Sequence, residues 1–428
     1  MTRYKAPRGT RDLLPTQRAV WSRLEGIAGG LATRYGYRQI ETPLFEEAAV
    51  FERGIGAVTD VVEKELFRVS SGPESSDRWA LRPEATAGVV RAYLEHGMQT
   101  LPQPVRLSLF GPMFRYDRPQ AGRYRQFWQW NVEAIGDPGP AVDAEIIELA
   151  YRFYVGAGLR NVEIHLNSIG DAVCRPAYVD ALRAHFGARE DDLPELERRR
   201  LGSNPLRLLD SKDPRLEALV ESAPAITDAL CDPCRAHFEA VQAHLAVLDL
   251  PVRLSPRLVR GLDYYTRTAF ECYVRGAEGQ QSALGGGGRY DGLVELLGGR
   301  STPGIGFALG IDRVALALAD QGVGEPELAG PVAVVVGADA PDTITRLTIT
   351  TELRAGGIAS RADLGTRNLS RQLESAVRDG AHFAVILGDE LETGQVQLKD
   401  LHSGTQRLVH RADLVRELER AEGSHRHG

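Results

Sequence analysis

Residues 110–135, FGPMFRYDRPQAGRYRQFWQWNVEAI, read as two strands joined by a loop. From Arg125 onward, Phe127, Gln129, Asn131 and Glu133 alternate with Trp128, Trp130, Val132 and Ala134. Successive strand side chains point to opposite faces, so Gln129, Asn131 and Glu133 form a polar row above an apolar floor. The loop 117–124 carries Asp117, Arg118, Gln120 and Arg123, with Arg115 at its entrance and Pro119 and Gly122 shaping the turn. Two readings compete. The row is the wet face of an antiparallel sheet, or the arginines and the row together hold an anionic ligand such as a nucleotide. The remainder of the chain decides between them.

At 428 residues the chain exceeds one ordinary domain and implies two or three. Its net charge of −7 argues against a protein that coats nucleic acid without specificity, but leaves room for a local basic surface. The start, MTRYKAPRGTRDLLP, has no signal-peptide core, and no apolar run is long enough to span a membrane. Four cysteines in this length are no disulfide framework. A soluble cytoplasmic protein is expected.

Residues 16–35 have the stripe of an amphipathic helix (Val20, Leu24, Ile27, Leu31), with Thr16 as its cap. GYRQIETPLF (36–45) reads as a strand ending near Pro43, and 61–69 with 78–82 as a hairpin. In LRPEATAGVVRAYLEHG, Glu84 and Thr86 stand where strand turns to helix, the place of a helix cap. Residues 141–157 are helical in pattern, and VEIHLNSIG is a strand. From Asp171 to about Leu250 the chain is charged and helix-rich, as if inserted into a strand-rich domain. Cys231-Asp-Pro-Cys234 has zinc-ligand spacing but no second cysteine pair, Cys174 and Cys272 being lone residues, so a helix-start turn is the better reading.

Strands return at 254–274, followed by the glycine run Gly285–Gly288 before Arg289-Tyr290-Asp291, where glycines permit positive φ and close backbone approach. PGIGFALGIDR (303–313) then leads into a helix. No Gly-Lys-Ser/Thr is present and GIGFALG is one residue too long for G-x-G-x-x-G, so any ATP would lie on a sheet rather than in a phosphate loop. Beyond a Pro/Gly linker near 325–331, VAVVVGAD has the wholly apolar pattern of a parallel-sheet strand and opens a separate α/β domain.

These stretches resemble one family. Residues 110–135 resemble motif 2 of the class II aminoacyl-tRNA synthetases, GYRQIETPLF resembles motif 1, and GIGFALGIDR motif 3. LVRGLDYYTRTAFE and GGRYDGL are similar to the signature peptides of histidyl-tRNA synthetases, and LRPEATA to their amino-acid-binding turn. The resemblance runs almost end to end, through NSIG, NPLRLLDSK and LKDLHSGTQ; Ala85, Asp117, Trp128 and Trp130 depart from the usual pattern. It implies an α+β catalytic domain on a mostly antiparallel sheet flanked by helices, in two parts (1–170 and 251–325). A helical insertion (171–250) and a C-terminal α/β anticodon-binding domain with a mixed sheet (331–428) complete the expected organisation.

The activity so implied joins L-histidine to ATP as histidyl-adenylate and then to tRNA(His), in a homodimer that uses ATP with Mg²⁺. Arg115 and Arg260 are the implied catalytic pair, gripping the α-phosphate from opposite sides, and Arg123 and Arg313 would hold the pyrophosphate. Glu84, Thr86 and Gln129 suit the histidine ammonium, and Glu133 and Tyr265 its two ring nitrogens. Tyr264 and Tyr290 would wall the pocket. Adjacent strand residues face opposite ways, so at most one of Tyr264 and Tyr265 is expected in the site unless the backbone bends. Arg118 and Gln120 would read the tRNA acceptor end. The resemblance leaves metal ligands unassigned. Rival readings are a synthetase-like regulatory subunit of ATP phosphoribosyltransferase, a synthetase-like stress sensor and another class II synthetase. The first lacks the C-terminal domain and the full RGLDYY peptide, both present here.

Overall fold

The computed structural model describes residues 4–425 except 57, 58, 60, 71, 73–75, 212, 260, 261, 277–282, 325, 327–329, 338–342 and 366; the side chains of 63, 210 and 423–425 also fall outside it. Two compact units divide the chain, Met1–Pro326 and Glu327–Gly428. Among the described residues no helix is long and apolar enough to cross a membrane.

The first unit is built on an eight-stranded sheet. Its order is Arg38–Gln39, Val105–Phe114, Gln126–Ile135, Gly304–Gly310, Ala283–Arg289, Thr266–Val274, Val162–Ser168 and Val252–Leu254. Only the outermost pairings, at the two short edge strands, are parallel; the others are antiparallel. The expected mostly antiparallel sheet is therefore present. The polar row at 129–133 is not a wet face, because Asn131 and Glu133 are buried. On the opposite side Trp130 packs on Phe153 of the helix Pro140–Ala157 and edge-on to Phe307, and its indole N–H donates to Ser108.

The first helix starts one residue earlier than its stripe, at Pro15, and Thr16 does not cap it. Proline is preorganised for the first helical position, and the Gln17 side chain accepts the Leu14 N–H instead (3.3 Å). The segment resembling motif 1 gives the large sheet only two residues, Arg38–Gln39, and its last residue, Phe45, opens a separate strand. Its continuation is held by the buried Arg82, which donates to Glu41 (2.8 Å), to the Thr42 carbonyl (2.8 Å) and to the Pro112 carbonyl (3.0 Å). Of the hairpin expected from 61–69 and 78–82, only Arg68–Val69 pairs with Trp79–Leu81, Val61–Glu65 being helical, and Phe45–Glu47 lies on the other side.

Between Val162–Ser168 and Val252–Leu254 the described residues form helices and no strand, among them Arg175–Gly187, Glu195–Ser203 and Asp232–Val247. Their apolar residues, including Leu182, Phe186 and Val241, join the same core as the sheet. A buried polar knot fastens the last of these helices. Asp143 accepts from Arg289, from Thr268 (2.5 Å) and pairs with His237 (2.9 Å). Burial pushes the Asp143 carboxyl up, but His237 and Arg289 outweigh it and hold it below the usual range.

None of Gly285–Gly288 has a positive φ. Their use is close approach alone: a Cβ on Gly287 would meet the Phe307 Cα of the neighbouring strand at 2.7 Å. The second unit carries a five-stranded mixed sheet, in which Ser360–Ala362, Ala333–Gly337 and Phe383–Leu387 are parallel and Gln395–Asp400 and Gln406–His410 continue antiparallel. Val335 faces one apolar cluster with Ile349 and Leu418, and Val334 and Val336 face another with Ala376. Burial on both faces explains the continuous apolar run in this strand.

Candidate active site

A cavity of about 310 Å³ opens beside the polar row, within the usual range for a small-molecule site. The 110–135 hairpin supplies Arg115, Arg123, Phe127, Trp128 and Gln129 to its lining, and the turn before Thr266–Val274 supplies Tyr264 and Tyr265. Glu84 and Thr86 come from the start of the helix Thr86–Glu95, and Arg313 from the helix Ile311–Asp320.

Arg115, Arg123 and Arg313 face the same space. Burial lowers the Arg313 pKa from its ordinary value, and the charges of Arg123 and Arg115 lower it further. Like charges brought together in this way are relieved by an anion. Each guanidinium has a protein partner: Arg115 donates to the Pro83 carbonyl (2.8 Å), Arg313 to the Ala283 carbonyl (2.6 Å), and Arg123 pairs with Asp117 and, at 3.6 Å, with Glu65.

Two buried carboxylates, Glu84 in the lining and Glu133 behind it, complete the site. Glu84 accepts the Thr86 and Ala87 backbone N–H groups (2.7 and 2.9 Å), so the cap reading holds as geometry. Beneath the lining, Glu133 accepts from the Thr86 hydroxyl at 2.7 Å and from the Tyr290 hydroxyl at 2.6 Å. Burial pushes the Glu133 carboxyl up to about 8, against the pull of those two hydrogen bonds. Burial likewise raises Glu84. A Cβ on Gly306, the residue paired with Glu133 across the strands, would run into its carboxylate. Gln129 Oε1 is buried and has no hydrogen-bond partner among the described residues.

Tyr264 and Tyr265 both reach the cavity, their rings 4.6 Å apart. The expectation that one would point away assumed a strand, but both lie in the turn that precedes it, where alternation does not apply. Tyr290 sits behind, edge-on to Tyr264 at 6.0 Å. Arg118 and Gln120 are exposed on the loop and outside the lining, and Gln120 forms a two-way backbone bridge with Arg123. Arg260 lies outside the described residues.

Three lining or supporting residues escaped the reading of motifs. Glu271 lines the cavity, one residue of an ordinary-looking strand. Asp312 accepts the Trp128 backbone N–H (2.8 Å) and pairs with Arg11 (2.7 Å). Arg11 in turn lies over the Tyr124 ring at 4.2 Å and donates to its hydroxyl, so the N-terminal segment ties the loop to the helix that bears Arg313. Only the adjacency of Asp312 to Arg313 in sequence hinted at this.

A mostly antiparallel sheet that aims arginines at one cavity, from a strand–loop–strand and from a neighbouring strand–helix, defines a class II aminoacyl-tRNA synthetase core. Comparison with known proteins narrows the class. Residues 9–314 match the family model described as histidyl-tRNA synthetase, and 331–421 the anticodon binding domain. The chain belongs to the histidyl-tRNA synthetase family. It is 47% identical to the histidine–tRNA ligase of Desulforudis audaxviator over 97% of this chain and 98% of that one. The apo histidyl-tRNA synthetase of S. aureus has the same fold, with a TM-score of 0.80 and 36% identity over 97% of this chain and all of that one. A Bacillus halodurans structure titled ATP phosphoribosyltransferase regulatory subunit/histidyl-tRNA synthetase shares the fold alone (TM-score 0.63, 22% identity, 88% of this chain and 97% of that one).

Proposed function

We propose that the chain is a histidine–tRNA ligase that converts L-histidine and ATP to histidyl-adenylate and pyrophosphate and then charges tRNA(His). The observation that carries this reading is a single cavity lined by three arginines and by the buried Glu84, with the buried Glu133 beneath its lining. The attacking carboxylate of histidine is already an anion, so the chemistry needs no protein base. It needs two anions held together and the charge at phosphorus stabilised.

In this assignment Arg115 grips the ATP α-phosphate and Arg260 approaches it and the histidine carboxylate from the other side. Arg123 and Arg313 take the outgoing pyrophosphate, Arg123 exchanging its ion pairs with Asp117 and Glu65 for phosphate oxygens. Mg²⁺ bound to the phosphates would share their charge, and Glu271, whose charge bears on Arg313, is a fitting ligand. Such ions take one or two carboxylates plus phosphate oxygens, a demand that Glu271 can meet.

Glu84, Thr86 and the unpartnered Gln129 Oε1 receive the histidine ammonium. Each Glu133 oxygen has a lone pair beyond the one used by Thr86 or Tyr290, so Glu133 can meet one ring nitrogen while Tyr265 meets the other. Tyr264 and Tyr290 wall the ring. Pairing both nitrogens rejects amino acids of similar size, which would leave buried groups unsatisfied.

Arg118 and Gln120, exposed on the loop, suit contact with the tRNA acceptor end, and the helical segment 171–250 would clasp the acceptor stem. Residues 331–428 bind the anticodon. Two copies pair through the edge strand Arg38–Gln39 and the exposed Leu44 and Phe45 beside it, 44% and 49% accessible in one chain. The work is cytoplasmic. The test is ATP–pyrophosphate exchange with each of the twenty amino acids and no tRNA. Exchange with histidine alone is expected; a folded protein that binds histidine without exchange would point to the regulatory-subunit class instead.

A further inference from the structure

Three of the four cysteines meet although Cys174 is distant in sequence from Cys231 and Cys234. Cys174, Cys231 and Cys234 lie with Asp171 so that one ligand atom from each falls within 4.8 Å of all the others. The zinc-like spacing at Cys231-Asp-Pro-Cys234 seemed to lack a second pair. That pair is the mixed Asp171-Ala-Val-Cys174, with the same two-residue gap.

We propose that Asp171, Cys174, Cys231 and Cys234 form a structural zinc site that clasps the beginning of the 171–250 segment to its last helix. A tetrahedral zinc with Zn–S bonds of about 2.3 Å has ligand–ligand edges of about 3.8 Å. The existing spread of 4.8 Å closes to this with rotamer adjustments of about 1 Å. Asp171 Oδ1 already faces the sulfurs, 3.6 Å from Cys174 Sγ and 3.9 Å from Cys231 Sγ. It also accepts the backbone N–H of Val173 (3.0 Å) and of Cys174 (3.4 Å), which fixes the carboxylate for coordination. Its second oxygen lies 3.6 Å from the Arg267 guanidinium, a partner that orients a ligand from outside the metal's own contacts.

The backbone favours the same chemistry. Cys174 and Cys231 occupy the N-caps of the helices Arg175–Gly187 and Asp232–Val247, and Cys234 sits in the first turn of the second. Helix N-termini stabilise thiolates, the form that binds metal. Three sulfurs and one carboxylate in a closed tetrahedron select zinc over harder cations, and four protein ligands, which leave no open position, mark a structural rather than a catalytic site. Gly170 leaves the room required: a Cβ there would stand 2.6 Å from Cys174 Sγ.

The site adjoins the histidine pocket. Arg175, next to Cys174, donates to the Gly170 carbonyl (3.1 Å) and to that of Tyr265 (2.6 Å), and Tyr265 lines the cavity. Zinc loss would therefore loosen the helical segment and one wall of the pocket together.

The experiment is elemental analysis of the full-length protein purified reduced from zinc-supplemented cells, with cobalt substitution. About one zinc per chain is expected, as is usual for a closed four-ligand site. Cobalt should give a sulfur-to-metal charge-transfer band and the strong visible bands of a tetrahedral centre. Asp171→Cys should keep the metal and shift that spectrum towards four thiolates, whereas Cys231→Ser with Cys234→Ser should abolish it. Asp171→Asn, which keeps all three thiols, should lose zinc to a chelator at least tenfold more readily and so covers the case in which the double variant fails to fold. A folded wild-type protein with substoichiometric zinc and no cobalt charge-transfer band would overturn the proposal, as would zinc content unchanged by the double substitution.

Discussion

Glu133 is the group whose ionisation most sharply tests the description of the pocket. Its carboxyl is buried, and that burial raises its pKa from 4.5 to about 8 in the folded protein. Between those values the folded chain keeps a proton that the unfolded chain has released. Stability then falls as pH rises, by about 1.4 kcal/mol per pH unit. Below pH 4.5 both states are protonated and above about 8 both are ionised, so the slope vanishes at either end. Integrated from pH 5.5 to 8.5, the loss is about 3 kcal/mol. Glutamine has nearly the same shape and cannot ionise, and the Thr86 and Tyr290 hydroxyls can each donate or accept. Glu133→Gln should therefore match the wild type near pH 5.5 and exceed it at pH 8.5, a relative gain of about 5 °C in melting temperature. Comparing the two proteins at each pH cancels the other titrating groups, apart from Glu84, whose charge adds to the Glu133 shift. Parallel melting profiles across this range would show that Glu133 is ionised in the folded protein, and the account of the pocket floor would fail.

Arg313→Ala should fold and bind histidine yet lose adenylate formation by about a hundredfold or more, the usual scale for removing one charge-stabilising donor; exchange kinetics in which only the KM for histidine moves would refute the phosphate role. Gly306→Ala should cost about 1–3 kcal/mol by overpacking against Glu133 and weaken histidine binding more than ATP binding, which denaturant titration and calorimetry would measure. Removing His237 and Arg289 from their shared partner by Asp143→Ala should destabilise by about 3–5 kcal/mol, because it strands a buried guanidinium; a change under about 1 kcal/mol would show that the knot is not holding the helix Asp232–Val247. Deleting residues 331–428 should leave histidine-dependent exchange intact and reduce charging of tRNA, and lost exchange from a folded truncation would contradict that division of labour.

Local pattern determined much of this protein. Alternation exposed the strand Gln126–Ile135, including which residues share the face of Glu133, because a strand's period of two is a property of the backbone alone. The apolar run at 333–337 announced a strand covered on both faces, and the motifs marked which arginines to watch. Tertiary structure decided whatever depends on residues far apart in sequence. It buried the polar row that could have been wet, and it turned Tyr264 and Tyr265 to the same cavity because a turn, not a strand, carries them. It also joined Arg11 to Asp312 and Cys174 to Cys231 and Cys234. Hydrophobic periodicity specifies an element and its inward face, but not the neighbour that face will meet. That choice is made by the packing of the whole core, where sheet order and helix placement set which side chains share a few ångströms of space.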